Sequence, residues 1–197
     1  MKRIWFYLLV MCFLVFTACN SDDDVTVMDE LPAISTAGLN TFGCLIDGQV
    51  FVAKKEGFCT DCDYETELNL TYEKTSDGYR FALATSNKVD GEISMQLEVY
   101  SDEDFLNEGK YSLSETTLEN NDTPLSNAKC VIDKKIKGVA LDSEFYTNKS
   151  IGGVLEIIRI DQESKFISGT FYFSALDDNG QFVNVSDGRF DVTYNNF

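Results

Sequence analysis

The 197-residue sequence predicts an all-β fold: an antiparallel β-sandwich or lipocalin-like β-barrel of about ten strands, with little helix. Three observations predict it. Apolar and polar residues alternate with period two over several consecutive runs, the pattern of an antiparallel sheet that is wet on one face. Asp-Gly and Asn-Gly pairs punctuate the runs, at the roughly 8–12-residue spacing of short strands joined by tight turns. No stretch sustains a 3.6-residue period, and aromatic residues make up 13% of the chain, which is high for a helical protein and ordinary for a β one.

The elements follow in order. Structure begins near Thr41. Cys44-Leu45-Ile46 and Val50-Phe51-Val52 flank Asp47-Gly48, a type I′ turn signal, so a tight hairpin is expected. Residues 54–65 are polar, carry Cys59 and Cys62, and read as a loop. Leu68, Leu70 and Tyr72 then share a face, opposed by Glu67, Asn69, Thr71 and Glu73. Ser76-Asp77-Gly78 turns the chain, and Tyr79, Phe81 and Leu83 continue the apolar face with Arg80 outside. After Asp90-Gly91, Ile93, Met95, Leu97 and Val99 face inward, opposed by Ser94, Gln96 and Glu98.

Gly109 to Leu113 reads as a short strand, residues 114–127 as a loop, and Ala128 to Asp133 as a strand holding Cys130. Residues 134–150 show no clear period. Val154 to Ile160 is apolar on both sides, which predicts a bulge or a strand covered on both faces. Ile167, Gly169, Phe171 and Phe173 alternate with Ser168, Thr170, Tyr172 and Ser174. Asp178-Asn179-Gly180 is a hairpin signal, Gln181 to Val185 a strand, and Asp187-Gly188 a further turn. Phe190, Val192 and Tyr194 form the last strand.

The first 24 residues set the compartment. Lys2 and Arg3 precede an apolar run, Ile4 to Phe16, of about 13 residues, short of the roughly 20 needed to span a bilayer. A basic head, a short apolar span and small residues before a cut site make a secretory signal. Phe16-Thr17-Ala18-Cys19 resembles a bacterial lipobox, with Phe16 where Leu is usual. The resemblance implies cleavage before Cys19 and lipid on its thiol and new amino group. The expected organisation is a lipoprotein signal peptide at 1–18, a lipidated acidic tether at 19–40 and a single all-β domain at 41–197. As a flexible coil of about 20 residues the tether would reach roughly 25 Å. The acidic run Asp22-Asp23-Asp24 resembles the surface-export signal of Bacteroidota lipoproteins; the plainer reading is a solvated tether facing the periplasm.

Charge and composition exclude several function classes. Sixteen basic against 33 acidic residues give −17, and loss of Lys2 and Arg3 with the leader leaves −19. Such a field repels phosphate backbones, so no nucleic-acid partner is expected, and it repels anionic lipid, so the N-terminal lipid must do the anchoring. The chain has no histidine. That removes Ser-His-Asp and Cys-His catalysis and every zinc site that needs imidazole.

Four cysteines remain after Cys12 leaves and Cys19 is lipidated: Cys44, Cys59, Cys62 and Cys130. An even count in an exported chain suggests disulfides, and four allow three connectivities. Cys59 and Cys62 are close enough to pair locally; Cys44 and Cys130 would then close a long loop, stabilising by roughly 4 kcal/mol in the entropic account. Cys59-Thr60-Asp61-Cys62 also has redox-pair spacing, but Asp61, Asp63 and Glu65 crowd it and raise a thiol pKa, and a strand rather than a helix follows. A four-cysteine zinc site fits the count, though only one true Cys-x-x-Cys is present. Asp61, Asp63, Glu65 and Glu67 offer calcium-type oxygens without an Asp-x-Asp-x-Asp-Gly loop, and a solvated strand face explains them. Asp177, Asp178 and Asn179 are explained by their hairpin. Tyr172 and Tyr100, opposite the core faces, suit stacking on a sugar or a partner, or burial under a loop.

Asn40-Thr41-Phe42-Gly43-Cys44 followed by Ile46-Asp47-Gly48 and Val50-Phe51, then Ile167 to Ala175, and then Gly188-Arg189-Phe190-Asp191-Val192-Thr193-Tyr194, together resemble an uncharacterised family of Bacteroidota exported lipoproteins. The resemblance covers both ends of the mature domain. It implies an exported all-β lipoprotein of unknown function and supplies no catalytic residue.

The expected function is therefore a non-catalytic binding module on a lipid anchor at the outer membrane, exposed on the cell surface. It would meet an unknown protein or small-molecule ligand and use no cofactor and no metal. A closed barrel would favour a small apolar ligand inside; a packed sandwich would favour presentation of loops. The alternatives are a structural or accessory subunit of an envelope assembly that adds or receives a β-strand, and a carboxylate-pair hydrolase.

Overall fold

The structure is a computed structural model and describes residues 30–53, 68–76, 78–87, 92–102, 105–114, 126–136 and 139–194. Cys19, Cys59, Cys62 and the acidic run from Asp61 to Glu67 lie outside the described residues.

Eleven strands and no helix lie among the described residues. A hairpin, β1 (Thr41–Ile46) and β2 (Gln49–Val52), comes first. The meander β3 (Leu68–Thr75), β4 (Gly78–Asn87) and β5 (Glu92–Ser101) follows. Next come the short β6 (Gly109–Leu113) and the pair β7 (Asn127–Ile136) and β8 (Val139–Tyr146). The last three are β9 (Gly153–Asp161), β10 (Phe166–Leu176) and β11 (Phe182–Thr193). They form one antiparallel sheet, ordered β2-β1-β11-β10-β8-β7-β5-β4-β3, with β9 on β10 and β6 on β9. The sheet forks at β10. Its first eight residues pair with β9, while Leu176 at its far end pairs with Tyr146 of β8. The fork lets the sheet curl strongly into a half-barrel, with the β3–β4–β5–β7–β8 half facing the β6–β9–β10–β11–β1–β2 half.

The inward positions of the alternating runs make the core. Phe81, Leu83, Leu97 and Val99 from one half, and Ile167, Phe173, Phe190 and Val192 from the other, are buried. Rings fill the centre: Phe81 and Phe190 meet across the halves at 5.8 Å between centroids, Phe42 stacks on Phe171 at 5.2 Å, and Tyr72 meets Tyr194 edge-on at 5.2 Å. The interior is thus packed with side chains, as in a sandwich or a small barrel.

Local chemistry sets the irregular points. Asp47 (φ 49°) and Gly48 (φ 80°) make the type I′ hairpin turn. Asp177 Oδ1 accepts from the N–H groups of Asn179 and Gln181 at 2.9 and 2.7 Å, which fixes the β10–β11 hairpin. The apolar-both-sides run is bulged: Ser168 faces Arg159 and Gly169 faces Ile157, so Ile158 is the extra residue and turns outward. Residues 134–150, without a readable period, hold β8.

Three sequence expectations are corrected. Asp187-Gly188 is not a turn between strands but a bulge inside the twelve-residue β11. Asp187 takes φ 51°, and a Cβ on Gly188 would lie 2.5 Å from the carbonyl oxygen of Phe171, so only glycine lets the two strands run on together. Glu98 is buried rather than solvated, because Arg80 and Gln96 close over it. The Cys44–Cys130 bridge is not formed: both are buried free thiols, on strands from opposite halves of the sheet.

The segment 30–40, read as the end of a tether, lies fastened to the body. Asp191 Oδ2 accepts from the N–H groups of Ala37 and Leu39 at 2.9 and 3.2 Å, and Oδ1 from Gly38 at 2.8 Å. Asn40 Oδ1 accepts from Thr193 N at 2.9 Å and from its hydroxyl at 2.7 Å. Pro32 sits over Gly43, where a Cβ would lie 2.6 Å from its Cδ. These residues form an arm laid across the outer face of β1 and β11.

Candidate functional site

The described surface carries a groove of about 300 Å³ on the outer face of the β6–β9–β10–β11 quarter. Its floor follows from register. Lys110 of β6 faces Glu156 of β9, Glu156 faces Thr170 of β10, and Thr170 faces Arg189 of β11. Period-two alternation puts all four on the side away from the core, so one lateral row reads cation, anion, hydroxyl, cation. In the next row Val154 faces Tyr172, and the β11 bulge brings Asp187 to the same rim. Ile34 of the arm supplies the remaining wall.

The side chains differ in how they are held. Tyr172 is 56% exposed and stands on β10, one of the two inner strands of the four. Lys110 Nζ and Glu156 Oε2 are 3.8 Å apart, a loose surface pair that contributes little to stability. Arg189 donates from Nε to the carbonyl oxygen of Asp187 at 3.0 Å and from Nη1 to that of Pro32 at 3.4 Å. Neither acceptor is a carboxylate, so the guanidinium is fixed by neutral groups and keeps its charge available.

The arm is held from beneath by Asp191, which is 1% exposed. Burial alone would raise its carboxyl pKa. The Ala37 N–H, the Ser35 hydroxyl and the Gly38 and Leu39 N–H groups outweigh that and hold it below its ordinary 3.8. Ser168, its cross-strand neighbour, is fully buried beside it.

No family model, curated protein or solved structure matches the chain.

The other singled-out residues fall elsewhere. Tyr100 is not a free platform: its hydroxyl accepts from Arg80 Nε at 3.1 Å. Arg80 also pairs with Glu98 at 2.6 Å and Glu73 at 3.2 Å, so this cluster braces the outer face of β3, β4 and β5. Burial would lower the Arg80 pKa, and these partners, Glu98 foremost, raise it instead. Cys44 and Cys130 face the core, and burial raises both thiols. Among the described residues, no three Cys, Asp or Glu side chains gather to hold a metal ion. No helix among them is long and apolar enough to cross a membrane.

Of the groove residues, sequence reasoning singled out only Tyr172. Lys110, Glu156 and Arg189 occupy outward positions of readable strands, but β6 pairs with β9 across two intervening strands in sequence. The row they form is a property of that long-range register. Asp191 gave a misleading signal, since an Asp between Phe190 and Val192 reads as an ordinary wet position.

Proposed function

We propose that the chain is an exported lipoprotein, anchored at the outer membrane through Cys19, whose strand-built body is a non-catalytic binding module presenting the Tyr172 groove to a ligand. The lipobox-like Phe16-Thr17-Ala18-Cys19, and the motifs at Asn40–Cys44 and Ile167–Ala175 that resemble the Bacteroidota lipoprotein family, support the anchor and the compartment. The observation that carries the binding reading is the groove itself: a half-exposed aromatic ring ringed by charged side chains on four laddered strands. A rigid sheet holding a shaped, wet site at its outer face is a way to bind without moving.

The carboxyls of Glu156 and Asp187 in one groove favour hydrolysis as the second reading. Against it, the Glu156 side chain is 45% exposed, whereas a general acid keeps its proton at neutral pH by being shielded from water.

Two measurements test the proposal. Mass analysis of the native chain should find a fatty-acylated Cys19 at its N-terminus, and Cys19→Ala should abolish both the acylation and the removal of residues 1–18; a native chain that keeps residues 1–18 and carries no fatty acid would sink the anchor. A fragment library screened by NMR on the full chain should shift resonances clustered around Tyr172, Thr170 and Arg189. Hits scattered over the surface, or gathered elsewhere, would sink the groove as the binding site.

A further inference from the structure

Resting on the reading of the groove as the binding site, we infer that its ligand is a neutral saccharide, lying with the C–H face of one sugar ring on Tyr172. The lining charges cancel: Lys110 and Arg189 are balanced by Glu156 and Asp187. An anionic ligand would meet two carboxylates in a chain of net charge −17, and a cationic one would meet an ammonium and a guanidinium. A sugar hydroxyl both donates and accepts. It is served by a row in which donor, acceptor, hydroxyl and donor succeed each other from Lys110 to Arg189, about one strand spacing (roughly 4.8 Å) apart. The Tyr172 ring supplies the apolar face that a pyranose needs for its C–H side.

An extended peptide fits poorly. Of the four floor strands, β9, β10 and β11 have ladder partners on both sides; among the described residues only the short β6 pairs on one side alone, and a strand added there would lie beside the groove in the plane of the sheet, not in it. A lipid chain fits poorly too, because four of the lining side chains, Lys110, Glu156, Asp187 and Arg189, are charged. The volume of about 300 Å³ stands at the lower end of small-ligand clefts, roughly 300–1,000 Å³, which suits a short stretch of a longer glycan.

The test is a titration of the full mature chain, in a detergent without a sugar headgroup, with four probes: a neutral β-linked and a neutral α-linked hexasaccharide, an oligogalacturonate and a chitosan oligomer. Binding is read by calorimetry and by NMR. At least one neutral probe should bind, with an affinity nearly unchanged between low and high salt. Tyr172→Ala should weaken it about tenfold or more, while Tyr172→Phe, which keeps the ring, should weaken it about threefold or less. Preference for the charged probes with a steep salt dependence overturns the neutral assignment. So does failure of every saccharide while fragments still cluster at Tyr172, an outcome that leaves the groove standing. Neutral binding that survives Tyr172→Ala overturns the platform. Cleavage of a probe overturns the non-catalytic reading. Silence of saccharides and fragments alike overturns both.

Discussion

At Asp191 a single carboxylate orders a segment more than 150 residues away in sequence. Three backbone N–H groups converge on its two oxygens, and each such bond to an ionised acceptor is stronger than a neutral one. Asp191→Asn removes the charge and turns an amide N–H₂ toward donors. The docked arm should lose about 1–3 kcal/mol, seen as roughly tenfold to hundredfold faster hydrogen exchange at Ala37, Gly38 and Leu39, with the core amides unchanged. The same carboxylate sets a pH dependence of definite sign. Its folded pKa lies below the ordinary 3.8, so its stabilisation is complete above 3.8 and is lost as pH falls through the folded value. The arm should therefore stay docked at neutral and mildly acidic pH and become cleavable by pepsin within residues 31–40 only below that window. In Asp191→Asn the pH step should vanish; a step that persists would assign the release to another group. None of this was legible in the sequence. An outward Asp in an alternating strand reads as wet, and only the arm's return makes it a buried acceptor.

Elements were legible wherever one face is apolar and the other polar. Leu68 to Val99 reads directly as three strands, because burial of one face dictates every second residue. Bulges are harder. In β9 the breakdown of alternation at Ile158 signals the extra residue, whereas in β11 the same event hides behind Asp187-Gly188, a pair that serves equally well as a turn. The two positions in β9 give a direct contrast. Leu155 is fully buried and Ile158 is 39% exposed. Leu155→Ala should cost about 2–5 kcal/mol in urea unfolding, while Ile158→Thr should fall within about 0.5 kcal/mol of the parent. In β11, Gly188→Ala drives a methyl against the Phe171 carbonyl and ring, with contacts near 2.5 Å. It should destabilise by about 1–3 kcal/mol. A neutral Gly188→Ala would mean that β10 and β11 do not approach each other as closely as the bulge requires.

On the scale of the whole molecule, the all-β class was readable from period and turn residues, but the strand order was not. The fork at β10, and the crossing of β6 to β9, depend on contacts distant in sequence, and alternation gives each strand's inner face without naming its neighbour. Among the described residues, strand pairing joins the two halves only at Leu176 and Tyr146; elsewhere Asn87 Nδ2 donates to the Val52 carbonyl oxygen at 3.0 Å and rings such as Phe81 and Phe190 pack across. Whether they unfold together can be read from two thiols. Cys44 lies in β1 of one half and Cys130 in β7 of the other, both wholly buried. Burial pushes Cys130 up to about 12, with the charge of Asp47 adding to it. Burial raises Cys44 too, with Cys130 a smaller contributor. Since the thiolate is the nucleophile, neither should react with iodoacetamide in the native chain at neutral pH. In rising urea, without reductant, both should become alkylated, peptide by peptide, at the midpoint where the near-ultraviolet signal of the packed rings disappears. Labelling of Cys44 well before Cys130 would mean that β1 and β2 peel away as a separate unit. A Cys44–Cys130 peptide pair that stays unlabelled and is two hydrogen atoms lighter than the dithiol would mean that the two thiols are oxidised, with dioxygen as the oxidant, to a disulfide across the core.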